Sequence, residues 1–445
     1  MGILNSIRRS DRDLTPVTLN TGTIFDLATG SFVPGKDNSM ILNGGLILSN
    51  GITGRAQMFK SSIDLSYFMN TLINYHEAEG LVYDSEISIP GKSRLIDLSS
   101  SNDPSLYNRF ELFSKADYGM EELFGEVRKI ANEKDLHKKD YTRETPFLDI
   151  NGKPILTWVP TLVGIDSWSG LSTSKETEAY EKLELGDSKT NTLAMYEGKL
   201  KTDFSRMIPT IAAKHGIYFI LTAHIDSEIK MDAYAPTNKD VPMMRGSDKL
   251  KRVGSQFKFL TPNMIETRKT ELLQDSNKKC QYPYHLTSSD VELQKVTAVV
   301  CRCKNNVSGS QFSHVSSQFS GVQKWLDYFL IIKDCKSELL TGTTKQKLAI
   351  TDHEFTRQSL RDLIATDPKF RRALEILGQF IYIRNNFNIP EISNMGYMEF
   401  AKRFNASKDL KEEMLNSTGI WQFTSAKSDK KYMSIVDIYT MLNKK

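Results

Sequence analysis

Apolar residues along the chain fall into two patterns, short continuous runs and three- to four-residue spacings, and the two alternate. Leu46-Ile47-Leu48, Leu81-Val82-Tyr83, Thr161 to Ile165 and Ile217 to Ala223 are brief apolar runs of the kind that form strands buried on both faces. Between the first two, Ile63, Leu65, Phe68, Met69, Leu72 and Ile73 recur at helical spacing and predict a half-buried helix from about Lys60 to Tyr75. In the otherwise polar stretch from Ser93 to Asp140, Met120, Leu123, Phe124, Val127 and Ile130 predict one further amphipathic helix. Strand-like residues on either side of Asn151-Gly152, from Phe147 to Trp158, predict a hairpin inserted ahead of the Thr161 strand. A helix closes at Pro209 to Gly216, Val296 to Cys303 reads as a strand, and Gly321 to Ile332 as a helix or helix-strand junction. Strands alternating with helices predict an α/β core with a mainly parallel, twisted sheet flanked by helices.

The pattern changes at both ends. Residues 1–20 are polar and weakly patterned, a mobile arm, a small helix or a segment that docks on a neighbour, and Thr23 to Met40, with Gly30, Pro34 and Gly35, reads as a loop. Lys333 to Lys347 reads as a polar linker, after which Leu360, Leu363, Ile364, Phe370, Ala373, Leu374 and Leu377 keep helical spacing. The expected division is an N-terminal segment at 1–40, a core at 41–335 and a smaller helix-rich C-terminal domain at 348–445.

Composition narrows the class. With 39% hydrophobic and 25% charged residues the chain is neither disordered nor fibrous. No apolar run has membrane-span length and no secretory-type segment follows Arg8 and Arg9, so the expected location is cytoplasmic, with no membrane partner. Four scattered cysteines form no disulfide framework; Cys301 and Cys303 lack a second pair at zinc spacing and read as structural. A net charge of +4 permits a polyanionic partner without requiring one.

Candidate chemistry begins after the first strand. Gly54, Arg55, Ala56, Gln57, Met58, Phe59, Lys60 and Ser61, followed by Ser62, keep the frame G-x-x-x-x-G-K-[ST] of a nucleoside-triphosphate loop, with Phe59 in place of the second glycine. Successive backbone N–H groups at a helix start make an anion cradle, a lysine adds charge for the outer phosphates, and a hydroxyl holds Mg²⁺. The same residues also suit a solvated Lys-Ser at a helix start. Asp84 and Glu86 follow the second strand on the side of a parallel sheet where ligands bind; Glu86 is a candidate base for the attacking water, or both acids simply open a loop. Asp166 ends the third run as a magnesium-holding aspartate would, and His224 ends the fourth, either as a structural histidine or as a donor to a phosphate oxygen.

Phe59-Lys60-Ser61, Tyr83-Asp-Ser-Glu86, Ile165-Asp-Ser167, Ser174-Lys-Glu-Thr-Glu178 and the helix-strand pair from Ile208 to His224 together resemble the phage RecA-type, UvsX-like strand-exchange recombinases, over roughly Gly44 to Asp334. A phenylalanine before the loop lysine also occurs in that family. The resemblance implies a RecA-like ATPase core using ATP and Mg²⁺, with Lys60 and Ser61 on phosphates and metal, Glu86 activating water, Asp166 serving the metal and His224 reporting the γ-phosphate. It implies a first DNA loop at Ser167 to about Leu200. It implies a second at Asp226 to about Arg252, where Lys239, Arg245, Lys249, Lys251 and Arg252 would meet phosphates, Met243 and Met244 would wedge between bases, and Gly246 lies between them. The implied partners are single-stranded DNA, double-stranded DNA as the exchange partner, further copies of the chain in a helical filament, and single-strand-binding and mediator proteins. The implied activity is DNA-dependent ATP hydrolysis that drives pairing and strand exchange in recombination, repair and replication.

Two features depart from that family. A pair of cations expected after the Cys303 strand, reaching into a neighbour's ATP site, is Lys304 followed by Asn306, with Arg302 the available substitute. The C-terminus is basic, Lys430-Lys431 through Lys444-Lys445, where relatives end in acidic segments. A ring-shaped replicative helicase with a similar motor, and a DNA-coating filament with little ATP turnover, stay as alternatives.

Overall fold

The computed structural model describes residues 14–444 apart from 175–188, 228–238, 285–288, 427–429 and positions 100, 102, 117, 247, 255, 388 and 407. Residues 1–13 of the expected N-terminal segment, most of the Ser174 to Glu178 motif, the middle of the first loop and part of the second lie outside the described residues.

Strands and helices mostly alternate up to β5, and strands predominate from there to β10: β1 Ser49–Gly54, α1 Lys60–Asn74, β2 Glu79–Asp84, β3 Phe110–Ser114, α2 Met120–Leu136, β4 Thr161–Asp166, α3 Lys189–His215, β5 Ile217–Ser227 and β6 Asp248–Leu250, then β7 Asn263–Leu272, β8 Leu293–Arg302, β9 Gln311–Ser317, β10 Gly321–Val322, α4 Lys324–Asp334 and α5 Pro368–Asn386. One ten-stranded sheet runs β10-β9-β8-β7-β1-β5-β4-β2-β3, with β6 hairpinned onto β5. From β7 to β3 every pairing is parallel; β8, β9 and β10 extend the sheet antiparallel. The fold is therefore mixed α/β with a large, mostly parallel sheet flanked by helices. The connection from β1 through α1 does not return to a neighbour, because β5 and β4 lie between β1 and β2.

Period-two alternation divides the sheet's side chains between two cores. Val82, Leu162, Tyr218 and Ile220 join Ile63, Phe68 and Leu72 of α1 on one face, while Leu81, Tyr83, Val163, Phe219 and Leu221 join Leu123, Val127 and Ile208 of α2 and α3 on the other. The first of these cores continues without a break into α4, α5 and the C-terminal helices through Phe329, Leu377, Trp421 and Leu442.

Several expectations need correction. The first strand is Ser49–Gly54, not Leu46 to Leu48, of which only Leu46 pairs, in an isolated bridge to Leu19. Ser49, Asn50 and Thr53 are polar yet wholly buried; Asn50 Nδ2 donates to the carbonyls of Ile47 and Phe219, so its amide is satisfied and no apolar run marks the strand. Thr23 to Met40 is not a plain loop: Thr23 caps a short helix, Ile24–Thr29, and Ser31–Pro34 pairs with Met40–Asn43. Ile24, Phe25, Leu27 and Ala28 are buried there, but six residues are too few to show a period. Between Ser93 and Asp140 the structure adds a helix, Lys92–Ser99, and the edge strand β3. The Lys333 to Lys347 segment contributes to a three-stranded sheet of Leu340–Thr341, Gln346–Leu348 and Glu354–Phe355. The hairpin forms, as Thr142–Leu148 against Pro154–Trp158, with Gly152 at φ +73°.

Among the described residues, no helix is long and apolar enough to cross a membrane.

Candidate functional site

Four strands deliver their ends to one edge of the sheet. Gly54 is the register partner of His224, Asp84 of Asp166, and Thr222 donates to Asp166 Oδ1 at 2.6 Å, so β1, β5, β4 and β2 converge at their carboxyl ends. Ligands bind at that edge in parallel sheets.

The loop from Gly54 to Lys60 has a local cause for each special residue. A Cβ at Gly54 would lie 2.1 Å from Thr267 Oγ1, so only glycine lets β1 run on beside β7. Gln57 and Phe59 both have left-handed backbones, φ +62° and +57°. Phe59 thus takes the conformation that a glycine adopts without strain, and its ring packs against the core beneath α1. Arg55, Ala56 and Gln57 are exposed, Met58, Phe59, Ser61 and Ser62 half-buried, and Lys60, at the first position of α1, is buried.

Lys60 Nζ donates to the carbonyl of Arg55 at 2.8 Å, closing the loop on itself. Burial lowers the Lys60 pKa, opposed by the negative charges of Asp166 and Glu86. Asp166 is 2% exposed; burial raises its pKa against hydrogen bonds from Thr222 and Ser61, and its Oδ2 is buried without a partner. A hydrated Mg²⁺ takes one or two carboxylates plus phosphate oxygens, and the Asp166 carboxyl, with its Oδ2 unpartnered and the Ser61 hydroxyl near the group, fits that need. Asp64, one turn into α1, is fully buried with both carboxyl oxygens unpartnered, and burial holds its pKa well above the usual range.

Glu86 faces this group from the loop after β2. His224 Nε2 lies 2.6 Å from Glu86 Oε1, and Ser167 Oγ donates to the same oxygen at 2.7 Å. A carboxylate only accepts, so the imidazole is the donor. The His224 hydrogen bond is the largest reason that the Glu86 pKa falls to about 2, with burial opposing it and Ser167 assisting. Asp84 serves its own loop: it accepts the backbone N–H groups of Glu86, Ser88 and Ile89 at 3.0, 2.6 and 2.6 Å.

β5 runs beyond the expected end, to Ser227, so His224 lies within the strand instead of closing it. It then hairpins with β6, Asp248 opposite Ser227. A cavity of about 610 Å³ lies between the Gly54 to Lys60 loop and the hairpin, lined in part by Arg55, Glu86, His224, Asp226, Lys251 and Arg252. In the hairpin, Met243 is exposed but Met244 is buried in the core, its side chain against the sheet and away from solvent. Lys239 donates to the Pro242 carbonyl and Arg245 to that of Arg268; Lys249 lies 4.0 Å from Asp240 and Lys251 3.1 Å from Asp226, while Gly246 is half-buried and Arg252 exposed.

Arg302 and Lys304 stand apart from these residues. Arg302 pairs with Met264, itself opposite Gly51, so β8 ends toward the other edge of the sheet from Lys60. Lys304 is exposed, and Asn306 Nδ2 donates to the Gly30 carbonyl at 2.6 Å. Sequence reasoning named Ser167 only within a motif and as a loop boundary, and gave Thr222 and the acid Asp248 no role. The first two are ordinary turn and strand residues by type, and Asp248 meets Arg55 from 193 positions away.

No family model matches the chain, and no curated protein matches it. Among solved structures, the chain is similar to one titled "Crystal structure of the RadB recombinase", at 14% identity and a TM-score of 0.34, over 63% of this chain and 93% of that one. A likeness of that depth assigns neither family nor activity.

Proposed function

We propose that the protein is an ATP-dependent DNA recombinase that assembles on single-stranded DNA and promotes homologous pairing and strand exchange with a duplex. The observation that carries this reading is the convergence, at one sheet edge, of Lys60, Ser61, Asp166, Glu86 and His224 with a basic hairpin rooted in the same strand as His224. ATP would lie along residues 54–62, with Mg²⁺ between Ser61 and Asp166 neutralising phosphate charge. Arg302 and Lys304 would serve a neighbouring subunit's site, since they are remote from their own, and single-strand-binding and mediator proteins would act on the resulting filament. Residues 348–445 would form the helix-rich C-terminal region of each subunit. ATPase assays with and without single-stranded DNA, with electron microscopy of the assemblies, test the proposal: DNA-stimulated turnover and helical filaments support it, and rings favour a helicase. Asn306, bound within its own chain, gives the weakly hydrolysing coat its specific support.

Glu86 in this arrangement is ionised across the neutral range and is a weak proton acceptor, so its first task is to orient water. Phosphoryl transfer needs positioning more than proton removal. A γ-phosphate that draws the His224 N–H away from Glu86 would remove the main cause of its low pKa and make it a better base at the moment of attack. Glu86→Gln is expected to keep ATP and DNA binding while slowing turnover by about 10²–10⁴-fold; DNA-stimulated turnover equal to wild type would place the base elsewhere.

For the hairpin, Arg245→Ala with Lys249→Ala is expected to weaken single-strand binding at saturating ATP and to flatten its log–log salt dependence by roughly 0.7 for each phosphate that is no longer neutralised. Met243→Ala is expected to impair strand exchange with little change in that slope. Unchanged affinity and slope in the double variant would remove this loop as the DNA site.

A further inference from the structure

Arg55, the first residue after Gly54, turns its guanidinium out of the phosphate loop and onto the hairpin. Its Nη2 lies 2.7 Å from Asp248 Oδ1 and 2.8 Å from Ser227 Oγ. Those two acceptors are opposite one another in the β5–β6 pairing, at the root from which the basic loop springs. Asp248 is 1% exposed, whereas the Arg55 side chain is 46% exposed and lines the cavity together with Glu86 and His224. One guanidinium therefore reaches both the buried acid of the hairpin and the space beside the phosphate loop. A second tie runs parallel to it: Arg268 on β7, held by Glu266 Oε2 at 3.0 Å from Nε and 2.9 Å from Nη2, donates to the Met243 carbonyl.

We propose that Arg55 is a positioning residue that couples occupancy of the phosphate loop to the placement of the basic hairpin, through its ion pair with Asp248. The inference rests on the nucleotide and DNA reading above. A guanidinium offers five donors in a rigid fork, enough to keep a carboxylate while turning toward a phosphate. Asp248 is buried, so drawing Arg55 away from it breaks an ion pair whose acid is shielded from water, which is unfavourable. The pair consequently moves together, and the hairpin root follows Arg55 when phosphates draw it inward. Affinity for DNA and for nucleotide then depend on each other reciprocally.

The test uses the full chain, a fluorescent single-stranded oligonucleotide, and a non-hydrolysable ATP analogue with Mg²⁺. The readout is the ratio of DNA affinities with and without the analogue. Wild type is expected to show a ratio within the roughly 5–150-fold range of allosteric coupling. Asp248→Asn is expected to bind the analogue but to bring the ratio close to one, and Arg55→Ala combined with it to lower the ratio no further, because the two act through one another. Ser227→Ala, an exposed change that leaves the fold intact, is expected to lower the ratio part of the way and carries the test should the Asp248 variant not fold. A wild-type ratio in both Asp248→Asn and Ser227→Ala overturns the inference. A wild type that binds both ligands without coupling also overturns it while leaving the function standing, and a wild type that binds neither overturns the function itself.

Discussion

Lys60→Ala is expected to abolish productive ATP turnover while leaving a folded protein. The position of the Lys60 ammonium is set both by a helix start and by the loop's own carbonyl, at 2.8 Å from Arg55. Removing a preorganised charge from a site where charge develops lowers the rate by about 10²–10³-fold per interaction, and here phosphate affinity falls with it. The fold should tolerate the change, because burial already disfavours the charged form of this lysine and shortening it removes that cost. ATPase assays, nucleotide titration and circular dichroism on the same preparation separate the outcomes. ATP-dependent DNA binding unchanged from wild type would sink the phosphate-site assignment.

Much of this site is legible in sequence because its parts are local. Lys60 and Ser61 follow Gly54 in one frame, and α1 begins at Lys60 as its apolar spacing predicts. Asp166 ends β4 at the predicted residue, because that strand is an apolar run closed by an acid. What is not legible is pairing across the sheet. The His224 to Glu86 bond, the Thr222 to Asp166 bond and the Arg55 to Asp248 bond join residues 138, 56 and 193 positions apart, and only the strand order brings them together. The same cause hides β1 and β9. Both carry buried polar residues whose hydrogen bonds are made by distant partners, as when His314 on β9 meets Asp327 at 2.7 Å and Tyr67 at 2.5 Å in a fully buried network. Hydrophobic pattern finds strands that are apolar, and it passes over those whose polar groups are satisfied elsewhere.

The helical spacing beyond the linker predicts a separate domain at 348–445, and Trp421→Ala tests whether that region behaves as one. Trp421 is fully buried, with ring centroids 4.9 Å from Tyr75 at the end of α1, 5.3 Å from Phe147 in the hairpin and 5.4 Å from Phe423. Its neighbours in sequence reinforce the contact: Gln422 Nε2 donates to the Asn74 carbonyl and Thr424 N to that of Glu144, each at 2.9 Å. Farther along, Tyr432 donates to the Met40 carbonyl at 3.1 Å and Met40 N donates to Asp437 at 2.8 Å. A side chain that fills the junction of three elements leaves a cavity when truncated, and large aromatic-to-alanine changes cost about 3–5 kcal/mol. Because the apolar core passes from α1 into α5 without a break, truncation should lower a single cooperative transition for the whole molecule. Differential scanning calorimetry of wild type and variant provides the measurement. Two transitions, of which Trp421→Ala shifts only one, would show instead that residues 348–445 unfold independently of the sheet.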